Sequence, residues 1–272
     1  MGSIEKRKIV TAIVIVPPLI FLIAMGPPGV VILMVLLATY LGLCEFYKLA
    51  LPDSIRVERW MPITLGLILS LLISRGDVRI VFPFFVLLLL GLSILFMVTS
   101  KNLSSAISGV GIAFFGIFYI GFLLSHISLI RNLADGRQWV LFLIATVWAG
   151  DISAFLTGSF LGRHKLYPKI SPKKTCEGLA GAIGGSVLTA LVFTSLFLPR
   201  VSKSSTIFLA IGIGLLGQAG DFTESMLKRS AQVKDSGSLI PGHGGMLDRL
   251  DSFLFSAPFL HYSLLYLMKE TP

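Results

Sequence analysis

Apolar runs of roughly 20 residues, each long enough as a helix to cross a hydrocarbon core of about 30 Å, recur along the whole chain. They cover 9–25, 29–48, 60–74, 78–99, 105–130, 138–161, 177–199, 205–227 and 252–268 and predict about nine helices. Each run is continuous, whereas a transmembrane barrel would alternate apolar and polar positions. The breaks between runs carry turn chemistry: Gly26-Pro27-Pro28-Gly29, Leu51-Pro52-Asp53, Arg75-Gly76-Asp77, Asp135-Gly136 and Leu198-Pro199. Pro17-Pro18, Pro62 and Pro83 predict kinks, tolerable where neighbouring groups satisfy the freed carbonyls. The run 9–25 follows Lys6-Arg7-Lys8 in the manner of a secretory signal. No small-residue cleavage site follows it, so it is read as the first span.

Composition agrees with this pattern. Of 272 residues, 54% are hydrophobic and 14% charged, with a mean hydropathy of +0.87; soluble domains carry about 25% charge. The expected fold is an all-α polytopic integral membrane protein. Residues 1–130 are expected to form scaffold helices facing lipid, and 131–272 to carry the helices and loops of an active site. Cys44 and Cys176 form neither a disulfide framework nor a metal-ligand spacing.

The net charge of +9 fits basic loops facing anionic lipid better than a nucleic-acid surface. An inner-side N-terminus puts 1–8, 48–60, 100–104, 162–176 and 228–251 in the cytoplasm, with sixteen of the 23 Lys and Arg residues. The positive-inside rule therefore predicts N-terminus in and C-terminus out. The two longest polar loops, 162–176 and 228–251, then share the cytoplasmic side.

Ionisable groups at membrane depth cost about 2.5–3.5 kcal/mol each, so their placement carries information. Seven of the 14 acids lie between 151 and 251: Asp151, Glu177, Asp221, Glu224, Asp235, Asp248 and Asp251. Asp221, Glu224, Ser225 and Lys228 stand at i, i+3, i+4 and i+7, on one helix face. A Glu224–Lys228 pair on a solvated helix end explains part of this, but Asp221 lies deeper in the apolar run. Asp248 and Asp251 repeat the i, i+3 spacing at the start of the last run. One such acid is ordinary compensation of the helix dipole. Two suggest oxygen ligands for a hard cation, and Mg²⁺ takes one or two carboxylates while leaving positions for phosphates. Asp221 and Asp248 converging from two helices would make such a metal site.

Pro241-Gly242-His243-Gly244-Gly245 precedes that helix, and glycines let backbone N–H groups approach a phosphate closely. The other polar loop offers Lys173 and Lys174 just before a helix start that Thr175 can cap. Either loop alone also reads as an ordinary turn or a headgroup-facing surface. Asp151 reads as a ligand or as the partner of a buried base. Gly181, Gly184 and Gly185 form a small-residue face that suits a homodimer or packing within one chain.

The stretch Ser225-x-Leu227-Lys228-Arg229-x4-Lys234-Asp235-x-Gly237-x2-Ile240-Pro241-x-His243-Gly244-Gly245-Met246-x-Asp248-Arg249-Leu250-Asp251 resembles the signature of the phosphatidate cytidylyltransferases. Gly220-Asp221-Phe222-Thr223-Glu224 and Ile170-Ser171-Pro172-Lys173-Lys174-Thr175-x-Glu177-Gly178 extend the resemblance. Cys176 departs from a common Trp, and Asp151-Ile152-Ser153-Ala154-Phe155 is looser than the usual pattern. The resemblance implies a nucleotidyltransferase of phospholipid biosynthesis in the cell inner membrane. It would transfer a cytidylyl group from CTP to phosphatidic acid, with Mg²⁺, and leave a second cation open. Asp221, Asp248, Asp251, Glu224, Lys228 and Arg229 are then candidates for the catalytic centre, with Asp221 and Asp248 on the metal. Lys173, Lys174, Lys234, Arg249, His243, Gly244, Gly245, Asp151, Glu177 and Asp235 are candidates for binding substrate and its phosphates. A CTP-dependent lipid kinase and, more remotely, an ion-coupled transporter stay open as alternatives.

Overall fold

The computed structural model describes residues 14, 16–51, 56–76, 78–100, 103–237, 239 and 244–270. Among these residues ten α-helices run in chain order: α1 (Val16–Met25), α2 (Pro28–Ala50), α3 (Arg56–Ser74), α4 (Val81–Thr99), α5 (Leu103–Gly116), α6 (Leu123–Arg131), α7 (Gly136–Leu161), α8 (Cys176–Phe197), α9 (Lys203–Ser230) and α10 (Leu247–Glu270). A π-helical segment, Ile117–Phe122, joins α5 to α6, so that the three form one span, Ser105–Arg131. Seven helical spans among the described residues are long and apolar enough to cross a membrane. The two that bring the sequence reading to about nine fall short for different reasons. α1 is described over ten residues only, and α10 carries polar side chains through its apolar stretch, among them Ser256, His261 and Tyr262. Residues 1–13, with the basic head and most of the start of the first run, lie outside the described residues.

The helix starts are written in the sequence. Pro28 opens α2, where its missing N–H costs nothing. Thr175 Oγ1 accepts from Gly178 N at 3.1 Å and caps α8, and Ser202 Oγ accepts from Ser205 N at 3.1 Å and caps α9. Pro62 lies inside α3. Pro83 sits in the first turn of α4, where it displaces no intrahelical hydrogen bond and needs no kink.

Small residues set the closest helix contacts. A Cβ on Gly181 or Gly185 would run into Thr157 or Ser153 of α7. Ser186 of α8 donates to Thr146 O of α7 at 3.1 Å. The glycine face of α8 is thus used within the chain at Gly181 and Gly185, while Gly184 faces open space. Between α9 and α10, a Cβ on Gly220 would strike the Asp251 carbonyl, and Gly217 lies against Ser252 and Ser256. This close approach brings the acids of the two helices together. The remaining apolar side chains split as in a membrane protein. Leu43, Tyr47, Ile120 and Phe142 are buried, while Phe82, Val98, Ile107 and Phe160 are exposed on the outer surface.

The loop 162–176 is more ordered than its sequence suggests. Two short antiparallel strands, β1 (Lys165–Tyr167) and β2 (Ser171–Thr175), make a hairpin between α7 and α8.

Candidate active site

Asp221, Glu224 and Asp251 each offer an oxygen within 4.8 Å of the others. The spacing on α9 supplies the first two, one turn apart. α10 supplies Asp251 from one turn inside its N-terminus, facing α9 across the Gly220 contact. Glu224 is wholly buried, and its Oε2 pairs with Lys228 Nζ at i+4. Its Oε1 has no hydrogen-bond partner among the described residues. The expected Glu224–Lys228 pair is therefore real, but it lies in the interior and not on a solvated helix end. A buried carboxylate oxygen without a donor calls for a cation or a proton, and three hard oxygens suit a divalent ion of the Mg²⁺ type.

Strand β2 delivers a base to the same place. On β2, Lys174 is half-buried and turns toward the acids while Lys173 is exposed. Lys174 Nζ lies 2.7 Å from Asp221 Oδ2 and 4.1 Å from the centre of the Phe222 ring. Glu177, in the first turn of α8, accepts from the backbone N–H groups of Arg163 and His164 and meets His164 Nδ1 at 2.6 Å. It thus ties down the hairpin base and stands apart from the acid group. Arg229 donates to Ile170 O at 3.4 Å and to Val233 O at 3.2 Å, tying the end of α9 to the hairpin. The two polar loops lie on one side of the bundle, joined by the Lys174–Asp221 and Arg229–Ile170 contacts.

Asp248 does something other than the sequence predicts. As the second residue of α10, it points back at its own helix start. Its Oδ2 accepts from Ser236 N (2.9 Å), Ser236 Oγ (2.9 Å) and Gly245 N (2.8 Å), and its Oδ1 meets Lys228 Nζ at 2.6 Å. Burial pushes this carboxyl up, but Lys228 and the N–H groups of Gly245 and Ser236 outweigh it and hold the pKa at about 2. The carboxylate that joins Asp221 is Asp251, one turn further on. Gly244 adopts φ +83°, a conformation that favours glycine, and a Cβ there would press on Asp248. The Gly245 N–H is already spent on Asp248 and does not stand open for a phosphate. His243 lies outside the described residues.

Residues 6–267 match the model of the cytidylyltransferase family. The chain belongs to the cytidylyltransferase family. It is 32% identical over 265 residues to a phosphatidate cytidylyltransferase of Bacillus subtilis, covering 95% of this chain and 97% of that one. A phosphatidate cytidylyltransferase of Synechocystis is 33% identical over 261 residues, covering 85% of this chain and 87% of that one. The uncharacterized protein YnbB of Escherichia coli is 34% identical over 250 residues, with 89% and 81% covered. The protein is a nucleotidyltransferase with membrane helices, as the signature implied.

The other expected residues of this cytidylyltransferase divide by position. Asp151 of α7 is held by Gln218 Nε2 at 3.2 Å and Ser252 Oγ at 3.4 Å, linking three helices behind the acid group. Its hydrogen-bond partners among the described residues are thus an amide and a hydroxyl. Lys234, Asp235 and Arg249 are exposed around the rim. Glu45, which the sequence shows as an acid well inside an early apolar run, and Ser236 were not among the expected site residues. Glu45 Oε1 accepts from Met246 N at 2.9 Å, and Oε2 accepts from Leu247 N at 2.9 Å and meets Ser236 Oγ at 3.0 Å. The one available signal was Glu45 itself, a carboxylate within an early apolar run.

Proposed function

We propose that this cytidylyltransferase transfers the cytidylyl group of CTP to phosphatidic acid, giving CDP-diacylglycerol and pyrophosphate at the cytoplasmic face of the cell membrane. The observation that carries the reading is the cluster of Asp221, the buried Glu224 and Asp251, faced by Lys174 and Lys228. The names of the Bacillus and Synechocystis relatives support the substrates. α1 and α10 complete about nine spans, with the N-terminus inside. Residues 1–130 serve chiefly as scaffold, and 131–272 carry the chemistry.

The nucleophile is a phosphatidate phosphate oxygen, already anionic, so no strong general base is required. It attacks the α-phosphorus of CTP. The bond from that phosphorus to the oxygen bridging the α- and β-phosphates breaks, and pyrophosphate leaves with the electron pair. Catalysis of this kind rests on positioning and on neutralising charge. Asp221, Asp251 and Glu224 would hold Mg²⁺, which supplies neutralisation of the triphosphate charge. Lys174 would exchange Asp221 for a phosphate of the nucleotide, leaving Asp221 among the residues that would hold the cation. Lys228 stays between Glu224 and Asp248 and keeps the inner wall of the site electrically balanced. Lys173, Lys234 and Arg249 at the rim, with Arg229 beside the hairpin, draw in the anionic substrates. The acyl chains stay in the bilayer.

The test is CTP labelled at the α- or the γ-phosphate, incubated with phosphatidate and purified protein, with and without EDTA. The reading expects α-label in the lipid, γ-label in pyrophosphate, and no transfer with EDTA. Lipid carrying γ-label would instead mark a lipid kinase.

A further inference from the structure

Glu45 is the one acid of α2, a helix of the N-terminal half, and its carboxylate reaches across about two hundred positions of sequence to the entrance of α10. The first N–H groups of a helix have no partner within the helix and are ordinarily capped by a nearby residue of the same segment. Here the cap is supplied by another helix. Both oxygens of Glu45 are used on Met246 N and Leu247 N, each at 2.9 Å, and charge-assisted bonds of this kind are about twice as strong as neutral ones.

The same carboxylate is coupled to Asp248 through one hydroxyl. Ser236 Oγ stands 3.0 Å from Glu45 Oε2 and 2.9 Å from Asp248 Oδ2, with a single proton to serve both. Ser236 is 4% exposed, so water does not substitute for these contacts. Two glycines are fitted to the arrangement, since a Cβ on Gly237 or Gly245 would collide with the Glu45 carboxylate. Asp248 in turn holds Lys228, which holds Glu224 of the acid triad. An unbroken chain of short contacts thus runs from α2 to the site.

We infer that Glu45 is a positioning residue of the active site: it fixes the start of α10 at Met246 and Leu247 and holds Ser236 against it, and so sets where Asp248, Lys228 and Asp251 stand. This rests on the proposed reading for its kinetic part only. Its structural part, the anchoring of Ser236, Met246 and Leu247 by Glu45, stands independently of what the enzyme transfers.

The test compares full-length wild type with Glu45→Gln and Glu45→Asp in detergent micelles. Glutamine keeps the size but turns an NH₂ group toward donors. Aspartate keeps the charge but withdraws it by one methylene. Three readouts are taken: the kcat and KM of CTP turnover per folded molecule, the melting temperature, and the rate of tryptic cleavage at Arg229 and Lys234. For Glu45→Gln the expected result is kcat about tenfold lower or more, KM for CTP within about twofold, and cleavage several-fold faster at a melting temperature near wild type. Glu45→Asp should recover part of kcat and of the protection. Wild-type kcat and wild-type cleavage in Glu45→Gln would overturn the inference. So would a loss of activity accounted for wholly by loss of folded protein. Should wild type itself lack cytidylyl transfer, the proposed function fails, and cleavage alone decides the role of Glu45.

Discussion

Lys174 Nζ and Asp221 Oδ2 lie 2.7 Å apart, joining the hairpin before α8 to the acidic face of α9. The pair is part-buried on both sides, and Lys174 is further held over the Phe222 ring. It occupies the place where a cation and a phosphate would compete for the same two groups. Replacing Lys174 by methionine keeps the stem and removes the charge. Turnover at subsaturating CTP should fall by about 10² or more, the range for losing one preorganised charge donor. Steady-state kinetics against Lys173→Met checks it, because Lys173 points to the other face of β2 and its loss should matter far less.

Gly220 is the point where α9 and α10 touch. A methyl group there meets the Asp251 carbonyl, which is backbone and cannot swing aside. Gly220→Ala should cost about 1–3 kcal/mol of stability, the usual range for overpacking, and should lower turnover by shifting Asp251 away from Asp221. Gly184→Ala on α8 meets open space and should change neither. Thermal melts and turnover of the two variants, side by side, make the comparison.

Lys228 is shared by Glu224 and Asp248, both largely buried. Removing one partner of a buried ionic group costs about 3–5 kcal/mol because the remaining charge is stranded. Lys228→Met is therefore expected to be poorly folded as well as inactive. Lys228→Met combined with Glu224→Gln should regain much of the folding and none of the activity, a separation that size-exclusion profiles and CTP turnover would register.

Asp248 gives a dependence on pH with a definite sign. Its folded pKa is about 2, below the unfolded value of about 3.9. Ionised Asp248 therefore stabilises the fold fully above the unfolded value, and this contribution is lost as pH falls through the folded one. The melting temperature of wild type should exceed that of Asp248→Asn at neutral pH. The gap should narrow only in strongly acidic buffer, and a gap that closes already between pH 7 and 5 would contradict the assignment.

Much of the molecule was legible from residue order, for reasons that are local. Apolar run length gave the membrane helices, and Thr175 announced the start of α8. The i, i+3 spacing put Asp221 beside Glu224, and the greasy surroundings of Asp221 marked it as purposeful. What was not legible depended on contacts between distant segments. Asp248 and Asp251 are equivalent by spacing, yet the helix start turns Asp248 toward its own loop and leaves Asp251 to face α9. Lys173 and Lys174 look alike in a loop but part company once the segment is a strand. Glu45 caps a helix some two hundred residues away, and no local pattern encodes that.

The central claim is that Asp221, Glu224 and Asp251, and not Asp248, make the cation site. Mn²⁺ binding to the purified protein, followed by the EPR signal of the free ion, tests it without reference to turnover. Wild type and Asp248→Asn should both take up Mn²⁺, with Asp221→Asn and Asp251→Asn at least tenfold weaker. Full binding in Asp251→Asn together with loss in Asp248→Asn would contradict it.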